Sequence, residues 1–229
     1  FSEKDFFTGT HTIAPVIPSR KNWQRIFSTV LEDLTGLISP RQIIYCEGKD
    51  RPGQNGEERG FDAKVFNSIF SEKYHDTVFV SSGGNTELDQ RSNIAMTILT
   101  KVLSDIEILV LKDRDISSGR LNTENDRQVY LDNNPDNYRV LKRWEIENYL
   151  YDKEVLKKYC LNNNLEFKET DYDNFVTDIV NQNVKDSTGN IKNFCSIITN
   201  VNPEQFKLNL AGLITEEMSI YSELESCIM

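Results

Sequence analysis

Residues 106–115 read IEILVLKDRD and residues 42–48 read QIIYCEG. Each is a short, β-rich apolar run, Ile106 to Leu111 and Gln42 to Cys46, that stops abruptly at a polar turn. That is the pattern of a buried strand feeding a loop, and in both cases the turn carries carboxylates: Glu47-Gly48 in one, Asp113-Arg114-Asp115 in the other. Between them, Val65, Phe66, Ile69 and Phe70 recur at helical spacing behind Asp62, which is placed to cap a helix. Thr77 to Val80 predicts a strand closed by Ser81-Ser82-Gly83-Gly84, and residues 86–104 predict a helix with Ile94, Ile98, Leu99 and Val102 inward. Strands alternating with helices at this spacing imply βαβ crossovers and an α/β fold with a mainly parallel sheet flanked by helices.

Further out, a polar stretch over 116–137 leads to a fourth short strand, Tyr138 to Leu141, and then to Arg143-Trp144-Glu145-Ile146-Glu147-Asn148-Tyr149-Leu150. Only helical patterns follow, at Lys153 to Cys160, Tyr172 to Val180, Ile191 to Ile198 and Glu204 to Leu213, which predicts a C-terminal helical appendage. Toward the N-terminus, Trp23, Ile26, Phe27, Val30, Leu31 and Leu34 mark an amphipathic helix ending near Gly36, and Lys49 to Gly60 is a polar loop. Three parts are therefore expected: 1–39, a leading segment and helix; 40–152, the α/β domain; and 153–229, the helical region. The chain starts at Phe1, which reads as the middle of something larger.

The composition, 229 residues with 38% hydrophobic and 27% charged, is that of a folded globular protein. The sequence has no apolar run approaching the roughly 20 residues that span a bilayer and no signal-peptide pattern, so a cytoplasmic protein without membrane contact is expected. Four scattered cysteines and two histidines suggest neither a zinc site nor a disulfide framework. The net charge of -10 opposes a broadly basic nucleic-acid surface, unless the acids hold metal or another domain supplies the basic groups.

Ligands of open α/β sheets bind at the carboxyl ends of the strands, where Glu47 and the Asp113/Asp115 pair stand. Carboxylates brought together repel unless a cation neutralises them, and an all-oxygen donor set suits Mg²⁺ or Mn²⁺. Alternate residues of extended backbone point to one side, so Asp113 and Asp115 can face one ion or two adjacent ions. Glu145 and Glu147, beside Lys142 and Arg143, add a second acidic and basic element. Taken alone, a strand followed by Glu-Gly is an ordinary turn and an Asp-x-Asp an ordinary solvated loop; the combination is the specific signal. Lys49 and Arg143 taken singly read as surface charges, His11 and His75 as surface or packing residues, and Trp144 as a core anchor.

The segments IIYCEGK (43–49), LVLKDRD (109–115) and RWEIENYL (143–150) together resemble the Toprim domain of the OLD (overcoming lysogenization defect) family nucleases and related antiphage effectors. The resemblance covers roughly residues 40–152. In that family the Toprim domain follows an ABC-type ATPase, and FFTGTHTIAPVI (6–17) is similar to the final strand and histidine switch of such an ATPase. The resemblance implies metal binding by Glu47, Asp113 and Asp115, with Asp62 as the acid that follows the Glu-Gly. The insertion over 50–60 departs from the family pattern and leaves Asp50 as the alternative to Asp62. Glu147 is the expected late ligand with Glu145 second, and Lys142 or Arg143 the basic residue at the transition state. Lys49, Arg114 and Arg143 are the candidate nucleic-acid contacts.

The expected activity is phosphodiester hydrolysis with two metal ions, DNA favoured, as the nuclease part of an ATPase-coupled antiphage protein that oligomerises through its ATPase part. Glu47 serves as ligand or base. The rivals are a non-catalytic Toprim-like module that docks or regulates an ATPase, and an RNA-cleaving effector acting on tRNA.

Overall fold

The structure, a computed structural model, describes residues 40–49, 53, 57–102, 106–114 and 123–229. The helix expected within 1–39, Asp50 and Asp115 lie outside the described residues.

Four strands, β1 (Gln42–Cys46), β2 (Thr77–Ser81), β3 (Glu107–Lys112) and β4 (Tyr138–Val140), form one all-parallel sheet in the order β2-β1-β3-β4. The registers Cys46↔Ser81, Tyr45↔Val110 and Lys112↔Val140 bring the carboxyl ends of the strands to one edge. Helix α1 (Phe61–Phe70) packs on β2 and β1, and α2 (Asn85–Val102) on β3 and β1. Covering both sides of a parallel sheet explains why the strands read as apolar runs rather than alternating ones, with Ile108, Leu109, Val110 and Leu111 all buried in β3. The chain runs from β1 outward to β2, crosses back over β1 to β3, and continues outward to β4. The switch point therefore lies between the neighbours β1 and β3, where this class of sheet leaves a crevice at its carboxyl edge.

Several local expectations change. Asp62 sits in the first turn of α1, but the N-cap is Gly60 and no side chain caps the helix. Among the described side chains of α2, Leu88 and Ser92, one turn apart, are buried and Ile94 and Ile98, expected inward, are each more than half exposed; the side chains of Leu99 and Val102, also expected inward, lie outside those described. The polar stretch after β3 contains a helix, α3 (Glu124–Asp132), started by a capping box in which Thr123 and Asp126 bond reciprocally. Trp144 is half-buried and outside the core.

After β4 come α4 (Glu147–Leu150), α5 (Lys153–Asn162), α6 (Glu169–Phe175), a 3-10 turn at Lys185–Ser187, α7 (Thr188–Phe194), α8 (Pro203–Ala211) and α9 (Ser219–Ile228). The C-terminal region is helical, and residues 40–229 form one compact unit. Helix α8 packs on α1 and α9 on β4. Tyr221 of α9 lies 5.3 Å from Phe70, and Phe66 stacks on Phe79 at 5.1 Å, so one aromatic core joins helices from both ends of the unit. All four cysteines are buried and free. Among the described residues, no helix is long and apolar enough to cross a membrane.

The join to α9 centres on Arg143. Its side chain, 8% exposed, donates to Asp152 at 2.7 Å, to both carboxylate oxygens of Glu223 at 2.9 Å and to the Asn148 carbonyl at 3.0 Å. The guanidinium lies over the Tyr149 ring, whose hydroxyl accepts from the backbone of Lys142 and Arg143. Removing one partner of a buried ion pair strands the others without compensation, at about 3 kcal/mol. Arg143→Met is expected to lower unfolding free energy by that order in urea melts; a change below about 0.5 kcal/mol, ordinary for surface charges, would show that the network is not a structural clasp.

Candidate functional site

Glu47 leaves the carboxyl end of β1 and Asp113 that of the adjacent β3. Asp62, in the first turn of α1, faces the same edge, and Glu145 and Glu147 follow β4. The five carboxylates act on one another electrostatically. Burial and then the charges of Glu147, Glu47 and Glu145 push Asp62 from an ordinary 3.8 up to about 7, against a lowering pull from Lys185. Burial, then Asp62, Glu47, Glu147 and Glu145, push Asp113 well above the usual carboxylate range. Glu145 is raised by burial and by Glu147, with Lys185 and Lys207 pulling the other way. Glu47, Asp62 and Asp113 keep part of their surface in solvent, while Glu145 and Glu147 are each 4% exposed. The site thus has an open rim and a buried floor.

Two lysines from the helical region supply the compensating charge. Lys185 donates to Glu145 Oε2 at 3.1 Å, and Lys207, on α8, donates to Glu147 Oε1 at 2.7 Å. Glu145 Oε1 is buried with no hydrogen-bond partner. A buried carboxylate oxygen left this way costs free energy that a donor or cation would recover. The donor chemistry, hard oxygen throughout, suits Mg²⁺ or Mn²⁺. Yet among the described residues no group of three or more Asp, Glu, His or Cys side chains is placed to hold a metal ion as it stands. The lysines instead share the acids between them.

The candidate basic residues go elsewhere. Arg114 is 3% exposed and donates to the Lys142 carbonyl and to Asn181 Oδ1, and Arg143 serves the buried clasp with Asp152 and Glu223. Both guanidinium groups are themselves buried and their hydrogen bonds go to groups of this chain. Lys142 reaches Ser226 of α9 at 2.8 Å, and the cations that act on the carboxylates are Lys185 and Lys207. Lys49 is exposed.

A second acid matters through the backbone. Glu58 accepts from the Ser81 amide at 2.9 Å, from the Ser81 hydroxyl, and from the Gly60 amide at 2.6 Å. Burial pushes Glu58 up, but the bonds from Ser81, Gly60 and Arg59 outweigh it and hold the carboxyl below its ordinary value. The ends of β1, β2 and α1 meet here almost without space. Gly48, at φ 140°, bridges Gly83, and a Cβ on Gly60 would lie 2.2 Å from Ser81 Cβ. Glu58 therefore fixes the spacing between Glu47, one residue before Gly48, and Asp62, two after Gly60. Nothing in GEERG (56–60) distinguishes Glu58 from its neighbour Glu57, and Lys185 and Lys207 lie 40 and 60 residues from their partners, beyond any local pattern.

Compared with known proteins, the chain matches no family model, no curated protein and no solved structure.

Two outcomes follow from these electrostatics. Glu58→Ala leaves the Ser81 and Gly60 amides without their charged acceptor and is expected to lower stability by about 2 kcal/mol, read from urea midpoints at pH 7; an unchanged midpoint would remove Glu58 from this role. For Asp62, the folded protein retains a proton that the unfolded chain has released between pH 3.8 and about 7. The stability Asp62 contributes is thus fully present below that window and lost as pH rises through about 7. In EDTA, wild-type stability relative to Asp62→Asn should fall across the window and level off above it; a flat difference would contradict the raised pKa.

Proposed function

We propose that residues 40–229 are a Toprim-type, divalent-metal-dependent nuclease unit that hydrolyses phosphodiester bonds, with DNA as the favoured substrate. One observation carries the reading: Glu47, Asp62, Asp113, Glu145 and Glu147, from four separate parts of the chain, act on one another at the switch point of a parallel sheet. Structural ion pairs do not need five acids at a ligand-binding edge.

The residues that would hold metal are Glu47, Asp62, Asp113 and Glu147, with Glu145 and with Asp115, which lies outside the described residues. Bound Mg²⁺ or Mn²⁺, two ions in this reading, would supply Lewis-acid stabilisation of the scissile phosphate and a water of lowered pKa. Glu47, half-buried at the end of β1, would serve at the rim as ligand or as acceptor of the water proton. This reading assigns to Asp62 the role for which Asp50 is the alternative, supported by the charges of Glu147, Glu47 and Glu145 that act on Asp62; Asp50 lies outside the described residues. Glu58 and the Gly48–Gly83 bridge keep the spacing of the rim.

Within this reading the unit belongs to an OLD-like antiphage protein, where an ATPase part supplies control, assembly into an oligomer, and the basic surface that a net charge of -10 withholds. That charge, together with the buried Arg114 and Arg143, also favours a second reading, a non-catalytic module that regulates or docks an ATPase.

Nicking of supercoiled plasmid, with tRNA and single-stranded RNA in parallel, separates the readings. Wild-type chain with Mn²⁺ or Mg²⁺ is expected to cut, and Asp113→Asn and Glu47→Gln to fall to the level seen in EDTA. Cutting of RNA alone moves the substrate to tRNA-like targets. No cutting of either, with the ATPase part joined to the chain, leaves the regulatory module.

A further inference from the structure

We infer that Lys207 and Lys185 are exchangeable counter-cations: they occupy the carboxylates in the metal-free protein and are displaced from Glu147 and Glu145 when a divalent ion enters. The inference rests on the metal-binding reading above and adds the part played by the C-terminal helices.

Lys207 is held from two sides. Its side chain is 14% exposed, its ammonium is 2.7 Å from Glu147 Oε1, and the same nitrogen lies 5.3 Å from the centre of the Phe61 ring, the first residue of α1. Lys185 is looser, with a side chain 56% exposed and a 3.1 Å bond to Glu145 Oε2. Together they neutralise two of the five acids and leave Glu145 Oε1 buried without a partner. The arrangement is that of a site short of positive charge, in which the protein's own cations cover only the floor.

A divalent ion takes carboxylate oxygens at about 2.1 Å. An ammonium bonded to the same carboxylate would then stand against a double positive charge a few ångströms away. Metal and lysine therefore compete for Glu147 and Glu145, and binding is coupled to release of the lysines. Each floor acid is turned toward its lysine. Release is local at Lys185, whose exposed side chain can turn to water, whereas Lys207 must leave a half-buried position beside Phe61 of α1.

The direction of the effect distinguishes this from a structural role. A lysine that merely shapes the site weakens metal binding when removed. A competing lysine strengthens it. Lys207→Met removes the charge and keeps an unbranched apolar side chain, and calorimetric titration of the full chain with Mn²⁺ is expected to show about tenfold tighter binding than wild type, the low end of coupling between close charges. Lys185→Met, at an exposed position that tolerates substitution, is expected to tighten binding by a smaller factor. In a Glu147→Gln background Lys207→Met should no longer tighten binding at all. The wild-type protein supplies an independent readout: acylation of lysine amines followed by mass spectrometry should show Lys207 more reactive with saturating Mg²⁺ than with EDTA.

Equal or weaker Mn²⁺ binding by both lysine variants, with Lys207 reactivity unmoved by Mg²⁺, would overturn the exchange while leaving the metal reading standing. Failure of wild type and both variants to bind Mn²⁺ at all would overturn the metal reading and the exchange with it.

Discussion

Five acids at one edge of a parallel sheet repel one another, and much of the arrangement around them answers that repulsion. The topology brings them there: β1 and β3 are hydrogen-bonded neighbours although α1, β2 and α2 separate them in sequence, so the residues that follow them, Glu47 and Asp113, start from adjacent ends. The response takes two forms. On the floor, Glu145 and Glu147 are ion-paired to lysines. On the rim, Asp62 and Asp113 shift toward the protonated form. Burial without enough cations leaves only protonation as an outlet, which is why burial leads the causes of both shifts.

That constraint explains why the C-terminal helices belong to the same unit. A helix placed here only to cover apolar surface would not need to bring an ammonium to the mouth of the sheet, but α8 covers α1 and delivers Lys207 in one placement. The segment before Lys185 is fixed from three directions. Asn148 Nδ2 donates to the Ile179 and Gln182 carbonyls, the Trp144 amide donates to the Val180 carbonyl, and Arg114 donates to Asn181. Asn148, between the Glu147 that meets Lys207 and the buried Tyr149, thus ties acid and counter-cation into one backbone frame. Arg143, which by charge alone looks suited to phosphate, is consumed in holding α9.

How far this was legible in the sequence depends on range. The strands were, because parallel strands covered on both faces must be apolar throughout, and IIYC and ILVL can hardly be anything else. Glu47 and the Asp113 turn were legible as strand ends. Helix α3 was hidden by its composition, since it buries only Arg127 and its one clear signal is the Thr123–Asp126 capping box. In α2, Ile94 and Ile98 suggested inward positions, whereas among the described side chains burial falls on Leu88 and Ser92. Arg114 and Arg143 read as candidate nucleic-acid contacts because a sequence does not say that a carbonyl or a carboxylate from 28 or 80 residues away will meet them inside.

Glu58 marks the other limit. Its role depends on three backbone ends meeting closely enough that neither Gly48 nor Gly60 has room for a side chain, and steric crowding of that kind leaves no periodicity. The crowding has a consequence for the acids. A rim assembled from flexible loops could relieve repulsion by spreading, which would lower the pKa values of Asp62 and Asp113 and dissolve the site. With the Gly48–Gly83 bridge on one side and Glu58 bonded across Ser81 and Gly60 on the other, the first turn of α1 and the end of β1 are held at one spacing. Repulsion is then offset by protons and lysines rather than relaxed by spreading, and a cation that replaced them would have to displace both.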